Sequence, residues 1–181
     1  MDAYTDEWSL NGDFVYPEEQ LLNAGFEDGK FNAYNHDSNV TAEITTENTK
    51  SGKYAAVLTK DETRGGNAHL YQTVKVKPNS DYIWTFWVKF ENSATPVGAD
   101  GVNSNNAYLL SRIGGDHNST SESGFDWHRI RYSDGEWHKY QISLSTGNAD
   151  MIKLRLYMYT ASSKIVTDDW SLKYIGETQA N

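Results

Sequence analysis

At 181 residues, with 38% hydrophobic and 13% aromatic content and a mean hydropathy of -0.71, the chain has the size of one domain, and its 6 Trp, 12 Tyr and 6 Phe must supply much of the core. The formal net charge of -9 and pI near 4.9 repel nucleic acid, anionic lipid and acidic glycans and favour a neutral partner. There is no Cys to form a disulfide, and no apolar run long enough for membrane insertion.

Residues 1–19 form an acidic arm in which Trp8, Leu10, Phe14 and Tyr16 are spaced among Asp and Glu, a pattern that predicts partial docking on the domain. Its first six residues lack the basic and apolar regions of a secretion signal. An extracellular or cell-surface module is therefore expected to be exported on a signal carried elsewhere in its parent protein. The module itself is assigned to residues 20–176 and a C-terminal tail to 177–181.

Residues 21–29 read as a short strand entering a glycine-bounded turn. Residues 40–46 alternate Val40, Ala42 and Ile44 against Thr41, Glu43 and Thr45, and the turn 47–52 leads to a strand over 54–59. A loop carrying Gly65-Gly66 separates this from an extended run over 68–77, and Pro78-Asn79-Ser80 turns the chain into residues 81–90. There the two-residue period places Tyr82, Trp84, Phe86, Val88 and Phe90 on a core-facing side, and Ile83, Thr85, Trp87 and Lys89 on the other.

Residues 92–106 are a long Asn/Ser/Gly connection, after which strands are predicted over 106–113 and 124–132, with a polar loop between them at 114–123. Strands over 137–144, 151–159 and 165–174 complete the chain. Helical periodicity is absent, and about ten short strands joined by Gly/Asn/Ser turns predict an all-β, antiparallel two-sheet β-sandwich, a jelly roll.

Two constellations point to chemistry. In residues 151–159 the core set is Ile152, Leu154, Leu156 and Met158, which turns Lys153, Arg155, Tyr157 and Tyr159 outward. A guanidinium in line with two phenols can stack on a sugar ring and bond its hydroxyls. With Trp87, Trp127 and Tyr71 as further stacking rings, and Lys89, His69 and Gln141 as further hydroxyl partners, a cleft forms provided that Trp87 shares their sheet. The alternative is a set of ordinary surface aromatics.

The second constellation pairs Gly25-Phe26-Glu27 with Asp168-Asp169-Trp170, because the first and last strands of a closed jelly roll can lie side by side. Carboxylates brought together without Cys or His suit Ca2+, with backbone carbonyls of the turn 47–52 completing the shell. The alternative is solvated acids at strand ends.

The ordered stretches Leu21-Leu22-Asn23-Ala24-Gly25-Phe26-Glu27, Ser51-Gly52-Lys53-Tyr54-Ala55-Ala56-Val57-Leu58, residues 82–89 and Asp168-Asp169-Trp170-Ser171-Leu172 resemble the landmarks of bacterial carbohydrate-binding modules of families 4, 9, 16 and 22. The resemblance spans residues 20 to 175. It implies a glycan cleft on the concave sheet and a structural Ca2+ held by the Gly25 carbonyl, Glu27, a residue of the turn from Glu47 to Lys50, and Asp168 or Asp169. It also implies a covalently attached catalytic domain such as a xylanase.

The expected function is a monomeric, non-catalytic module that holds its parent hydrolase on a neutral polysaccharide, xylan or xylo-oligosaccharides first and mixed β-glucan second. Two other classes remain open: an adhesion or assembly domain that binds a protein, and a glycan-active enzyme using acids among Glu122, Asp126, Asp134 and Glu136, which no spacing pairs.

Overall fold

A computed structural model of the chain describes residues 18–36, 40–60, 68–91, 107–115, 124–130, 132, 134–158 and 164–179. The described residues contain ten strands and no helix. They are β1 (Asn35–His36), β2 (Val40–Thr45), β3 (Ala55–Lys60), β4 (Ala68–Lys75), β5 (Ser80–Glu91), β6 (Ala107–Ile113), β7 (Asp126–Arg129), β8 (Trp137–Ser145), β9 (Met151–Met158) and β10 (Lys164–Glu177). Two five-stranded sheets are formed, ordered β1-β4-β9-β6-β7 and β2-β3-β10-β5-β8. Every pairing is antiparallel. Apart from the neighbours β2–β3 and β6–β7, successive strands alternate between the sheets, which is the winding of a jelly roll.

Strand alternation builds the core. On β5, Tyr82, Trp84, Phe86, Val88 and Phe90 are all buried, and on β9 so are Ile152, Leu154, Leu156 and Met158. These inward faces interleave between the sheets in one apolar cluster. On β10 the register slips between Asp168 and Ser171, and Asp169 adopts φ 49°. The bulge turns the Trp170 indole into the core, 5.5 Å from Trp84, where its Nε1 donates to Thr167 Oγ1 at 2.7 Å.

The strand predicted over 21–29 is a loop instead. Asn23 and Phe26 take φ values of 49° and 60°, which breaks an extended run. The Asn23 side chain accepts from Asp28 N at 3.0 Å and donates to Lys30 O at 2.8 Å. The left-handed Phe26 is held by packing: its ring lies 4.8 Å from Tyr34 and 6.5 Å from Trp170.

At both ends of the described residues the chain is tied to β10 or its neighbours; Trp8, Leu10, Phe14 and Tyr16 of the acidic arm lie outside the described residues. Glu19, the last residue assigned to the acidic arm, bridges to Lys173, and its carboxylate accepts from Leu172 N at 2.8 Å. Glu177, assigned to the C-terminal tail, lies within β10 and pairs with Lys77 at 2.8 Å.

Candidate functional site

The outer face of the first sheet is organised by register. Asn35 pairs with Tyr71, Tyr71 with Arg155, Arg155 with Leu110 and Leu110 with Trp127, so one row crosses all five strands. In the next row His69 faces Tyr157, and in the row on the other side Lys153 lies between Thr73 and Arg112. Tyr71, Trp127, Tyr157, Arg155 and His69 are therefore on one surface.

Much of that surface is covered. Arg155 and Tyr157 are only 3% and 1% exposed, whereas Trp127 is 43% exposed and Tyr71 is half-buried. The expectation of two outward, wet groups at Arg155 and Tyr157 is thus corrected: they form a floor. Phe125, which follows left-handed Gly124, is one cover, its ring 4.5 Å from the Arg155 guanidinium. Tyr71 takes the other cationic contacts, 4.3 Å from Lys153 Nζ and 5.6 Å from Arg155. Tyr157 meets Trp127 edge-on at 5.3 Å and His69 at 4.7 Å, and packs with Leu110 and Phe125.

His69 experiences this environment directly. Burial, then the charges of Arg155, Lys153 and Lys60, drive its pKa from 6.5 down to about 3. The imidazole is therefore neutral across the physiological range and can donate from one nitrogen and accept at the other.

Trp87, Lys89 and Gln141 do not join these residues. They lie on the second sheet, where Trp87 pairs with Lys139 and Asp168, Lys89 with Trp137, and Gln141 with Thr85. Lys50 Nζ sits 4.2 Å over the Trp87 ring, covering a face that a sugar would need. Alternation reports which side of its own strand a residue occupies and carries nothing about which sheet the strand enters. Tyr159 lies outside the described residues, as does Glu122. Two site residues escaped the sequence reading, Phe125 and Arg112. The first lies in the strand predicted over 124–132 but just outside β7, so alternation did not single it out; the second shares the period of Leu110 on β6 and was legible from it.

At the sandwich corner the first and last segments meet as expected, with Trp170 N donating to Ala24 O at 3.0 Å. Glu27 accepts from Lys53 N and Tyr54 N at 3.1 Å. Asp168 accepts from Lys50 N at 2.8 Å, Ser51 N at 3.2 Å and Asp169 N at 2.7 Å, while Ser51 Oγ donates to Asp169 at 2.6 Å. Burial raises the Asp168 pKa, opposed by those amide donors.

Gly52, at φ +58°, leaves room for Glu27; a Cβ there would collide with the carboxylate. A Cβ at Gly25 would lie 3.6 Å from Asp169 Oδ1 and 3.7 Å from Glu27 Cγ, so both acids flank the Gly25 backbone. No group of three or more His, Asp or Glu able to hold a metal occurs among the described residues. The oxygen donors at the corner are carboxylates and carbonyls, without Cys or His, the donor type that hard cations take. Glu47 contributes its carbonyl to Thr45 Oγ1 at 3.2 Å, and the Lys50 ammonium is engaged with Trp87.

The acids considered for catalysis are dispersed. Asp134 is paired with His138 at 2.9 Å on the second sheet's side, and Asp126 and Glu136 are exposed.

Residues 18–164 match a family model, CBM_4_9, described as a carbohydrate binding domain. No curated protein matches the chain in sequence. Many solved structures share its fold, among them the following three. The enzymatically active domain of tailspike protein 4 of bacteriophage CBA120 aligns with TM-score 0.67 at 14% identity over 87% of this chain, which spans only 22% of that one. TmCBM61 in complex with beta-1,4-galactotriose aligns with TM-score 0.61 at 18% identity, over 88% of this chain and 100% of the other. The CBM22-1 xylan-binding domain from Paenibacillus barcinonensis Xyn10C aligns with TM-score 0.58 at 16% identity, over 87% and 94% respectively.

Proposed function

Because the chain belongs to the carbohydrate binding domain family, we propose that it is a non-catalytic module that binds a β-glycan on the outer face of the first sheet. Xylan is the first choice of backbone and mixed β-glucan the second. The observation that carries this reading is the single row Asn35–Tyr71–Arg155–Leu110–Trp127. Tyr71 and Trp127 are three strand spacings apart in it, about 14 Å at ~4.8 Å per strand. An extended oligosaccharide crossing the strands would stack on the exposed Trp127 and run over a floor of Arg155 and Tyr157 towards the half-buried Tyr71, whose ring also carries Lys153 Nζ at 4.3 Å. A parent glycoside hydrolase carried on the same polypeptide, acting outside the cell or on its surface, would gain residence on its substrate.

Affinity electrophoresis of the chain against xylan, β-glucan and mannan tests this. Retardation in the xylan gel that disappears in Trp127→Ala is expected. Free migration in all three gels would rule the module reading out, and release of reducing sugar by the isolated chain would rule out its being non-catalytic.

We propose also that the corner formed by Gly25, Glu27, Asp168 and Asp169, with carbonyls of the turn from Glu47 to Lys50, holds one structural Ca2+. The ion would neutralise carboxylates that the fold brings together. Chelation should lower the melting temperature while glycan retardation persists. A melting curve identical in calcium and in chelator argues against the site.

A further inference from the structure

Among the described residues two large aromatic side chains are exposed, Trp127 and, further along the chain, Tyr132, at 48%. Tyr132 belongs to none of the apolar clusters. Its ring lies instead against the His138 imidazole, with centroids 4.2 Å apart and planes 15° from parallel. The imidazole thereby covers one face of the phenol, and the exposure belongs to the opposite face and the ring edge.

This stack stands apart from the row on the first sheet. His138 is on β8, the edge strand of the second sheet, opposite Val88 of β5, and shares the inward period of Ile142 and Leu144. The stack is also held from behind. His138 Nε2 donates to both oxygens of Asp134 at 2.9 Å, Asp134 Oδ1 accepts from Glu136 N at 3.0 Å, and Gly135 N donates to Phe90 O at 3.1 Å, which ties the turn to β5.

Asp134 is well placed to accept more. Its side chain is 46% exposed. Burial pushes its pKa up, but the Glu136 amide and the His138 imidazole outweigh that and hold the carboxyl below the usual carboxylate range. An ionised two-oxygen acceptor therefore stands close to an open aromatic face, both joined to one imidazole. A pyranose matches that pair: the C–H groups of its apolar face meet the ring, and adjacent hydroxyls at its rim donate to the carboxylate. Because the imidazole fixes the ring beforehand, little rotamer freedom is lost on binding. The carboxylates of Asp134 and exposed Glu136 repel an anionic sugar.

We propose that Tyr132, Asp134 and His138 form a second saccharide site, which takes one neutral pyranose unit. The sugar rests on Tyr132 and donates hydroxyls to Asp134, while His138 backs the ring and orients the carboxylate. The site does not depend on the reading of the first-sheet face. With both in use, a polysaccharide is held at two points of one chain, and the second contact is favoured by the first.

The test is an amide chemical-shift titration of the isotopically labelled full chain with xylotriose, cellotriose and mannotriose, each to about 10 mM. At least one should shift the amides of residues 132–138, saturating on the order of 1 mM, as one ring and a few hydroxyl bonds allow. These shifts should persist in Trp127→Ala and vanish in Tyr132→Ala, whose melting temperature should hold because Tyr132 lies outside the core. Methyl β-glucoside should bind about threefold tighter than methyl β-glucuronide.

Shifts confined to the first-sheet face overturn the second site and leave the glycan reading of that face standing. Shifts at 132–138 that survive Tyr132→Ala overturn it as well, and equal binding of glucoside and glucuronide overturns its preference for a neutral sugar. Shifts at 132–138 with none on the first sheet sustain this site and sink the other. No shift in either region with any of the sugars removes both.

Discussion

The two outer faces of the sandwich come from strands that look alike in sequence and do different things. Each sheet turns aromatic and basic side chains away from the core. On the second sheet these groups satisfy one another: Lys50 covers Trp87, and buried Asp168 binds the backbone of the turn that delivers Lys50. On the first sheet Phe125, Arg155 and Tyr71 are layered into a floor, while Trp127 stays exposed at the end of the row. Outward-facing aromatics are thus covered on one side, and on the other Trp127 is left exposed. What separates the two cases is the neighbour that each ring acquires.

Four measurements break or sharpen this contrast. The largest effect is expected from Asp168→Ala, which leaves three backbone N–H donors of the second-sheet corner without their acceptor. A loss of about 2 kcal/mol should follow, the relief of a buried charge offsetting part of the cost. Thermal unfolding at unchanged melting temperature would show the corner to be incidental. Glycan affinity of the folded variant should be unaffected.

Trp127→Ala should do the reverse. The melting temperature is expected to hold, and affinity to fall about tenfold, equivalent to ~1.4 kcal/mol, whereas Trp87→Ala keeps affinity. If calorimetry finds the loss in Trp87→Ala instead, the binding face has been assigned to the wrong sheet.

Next comes pH. Between about 3 and 6.5 the unfolded chain binds a proton at His69 that the folded first sheet refuses, so the unfolded state carries more bound protons. Stability due to this group is therefore fully present above its unfolded value and is lost as pH falls through that window. Melting temperatures from pH 4 to 7 (~3 units of pH) should rise less steeply in His69→Gln than in the parent. Parallel curves would contradict the burial of a neutral imidazole beside Arg155 and Lys153.

The smallest effect is reserved for Lys50→Met. Its ammonium lies over Trp87 on a solvent-facing turn, and such contacts contribute about 0.5 to 1 kcal/mol. Urea denaturation should detect a shift of that size, and a cost several times larger would mean that Lys50 is part of the corner's folding and not only a cover for the ring.

The legible part of the fold was the part with a short period. The inward residues of β5 and β9 follow from alternation alone, because a strand must hide one side, and every other residue is then committed to it. The meeting of Gly25–Glu27 with Asp168–Asp169 was also legible, since a sandwich that closes brings its terminal segments together. The loop at 21–29 was not. Its apolar residues Leu21 and Phe26 read as a strand, whereas left-handed Asn23 and Phe26 break the extension and send the Phe26 ring into the core.

Composition and pattern by themselves determined an all-β sandwich, the core faces of β5 and β9, and a surplus of aromatic and basic side chains to be placed outside it. These are local matters, settled by a residue's immediate neighbours in the chain. Only the tertiary structure decided that Trp87 and Tyr157 occupy different sheets, that Phe125 packs on Arg155, and that Arg155 and Lys153 are buried beside His69. Those outcomes depend on pairings between strands far apart in sequence, and charge acts through the space those pairings create.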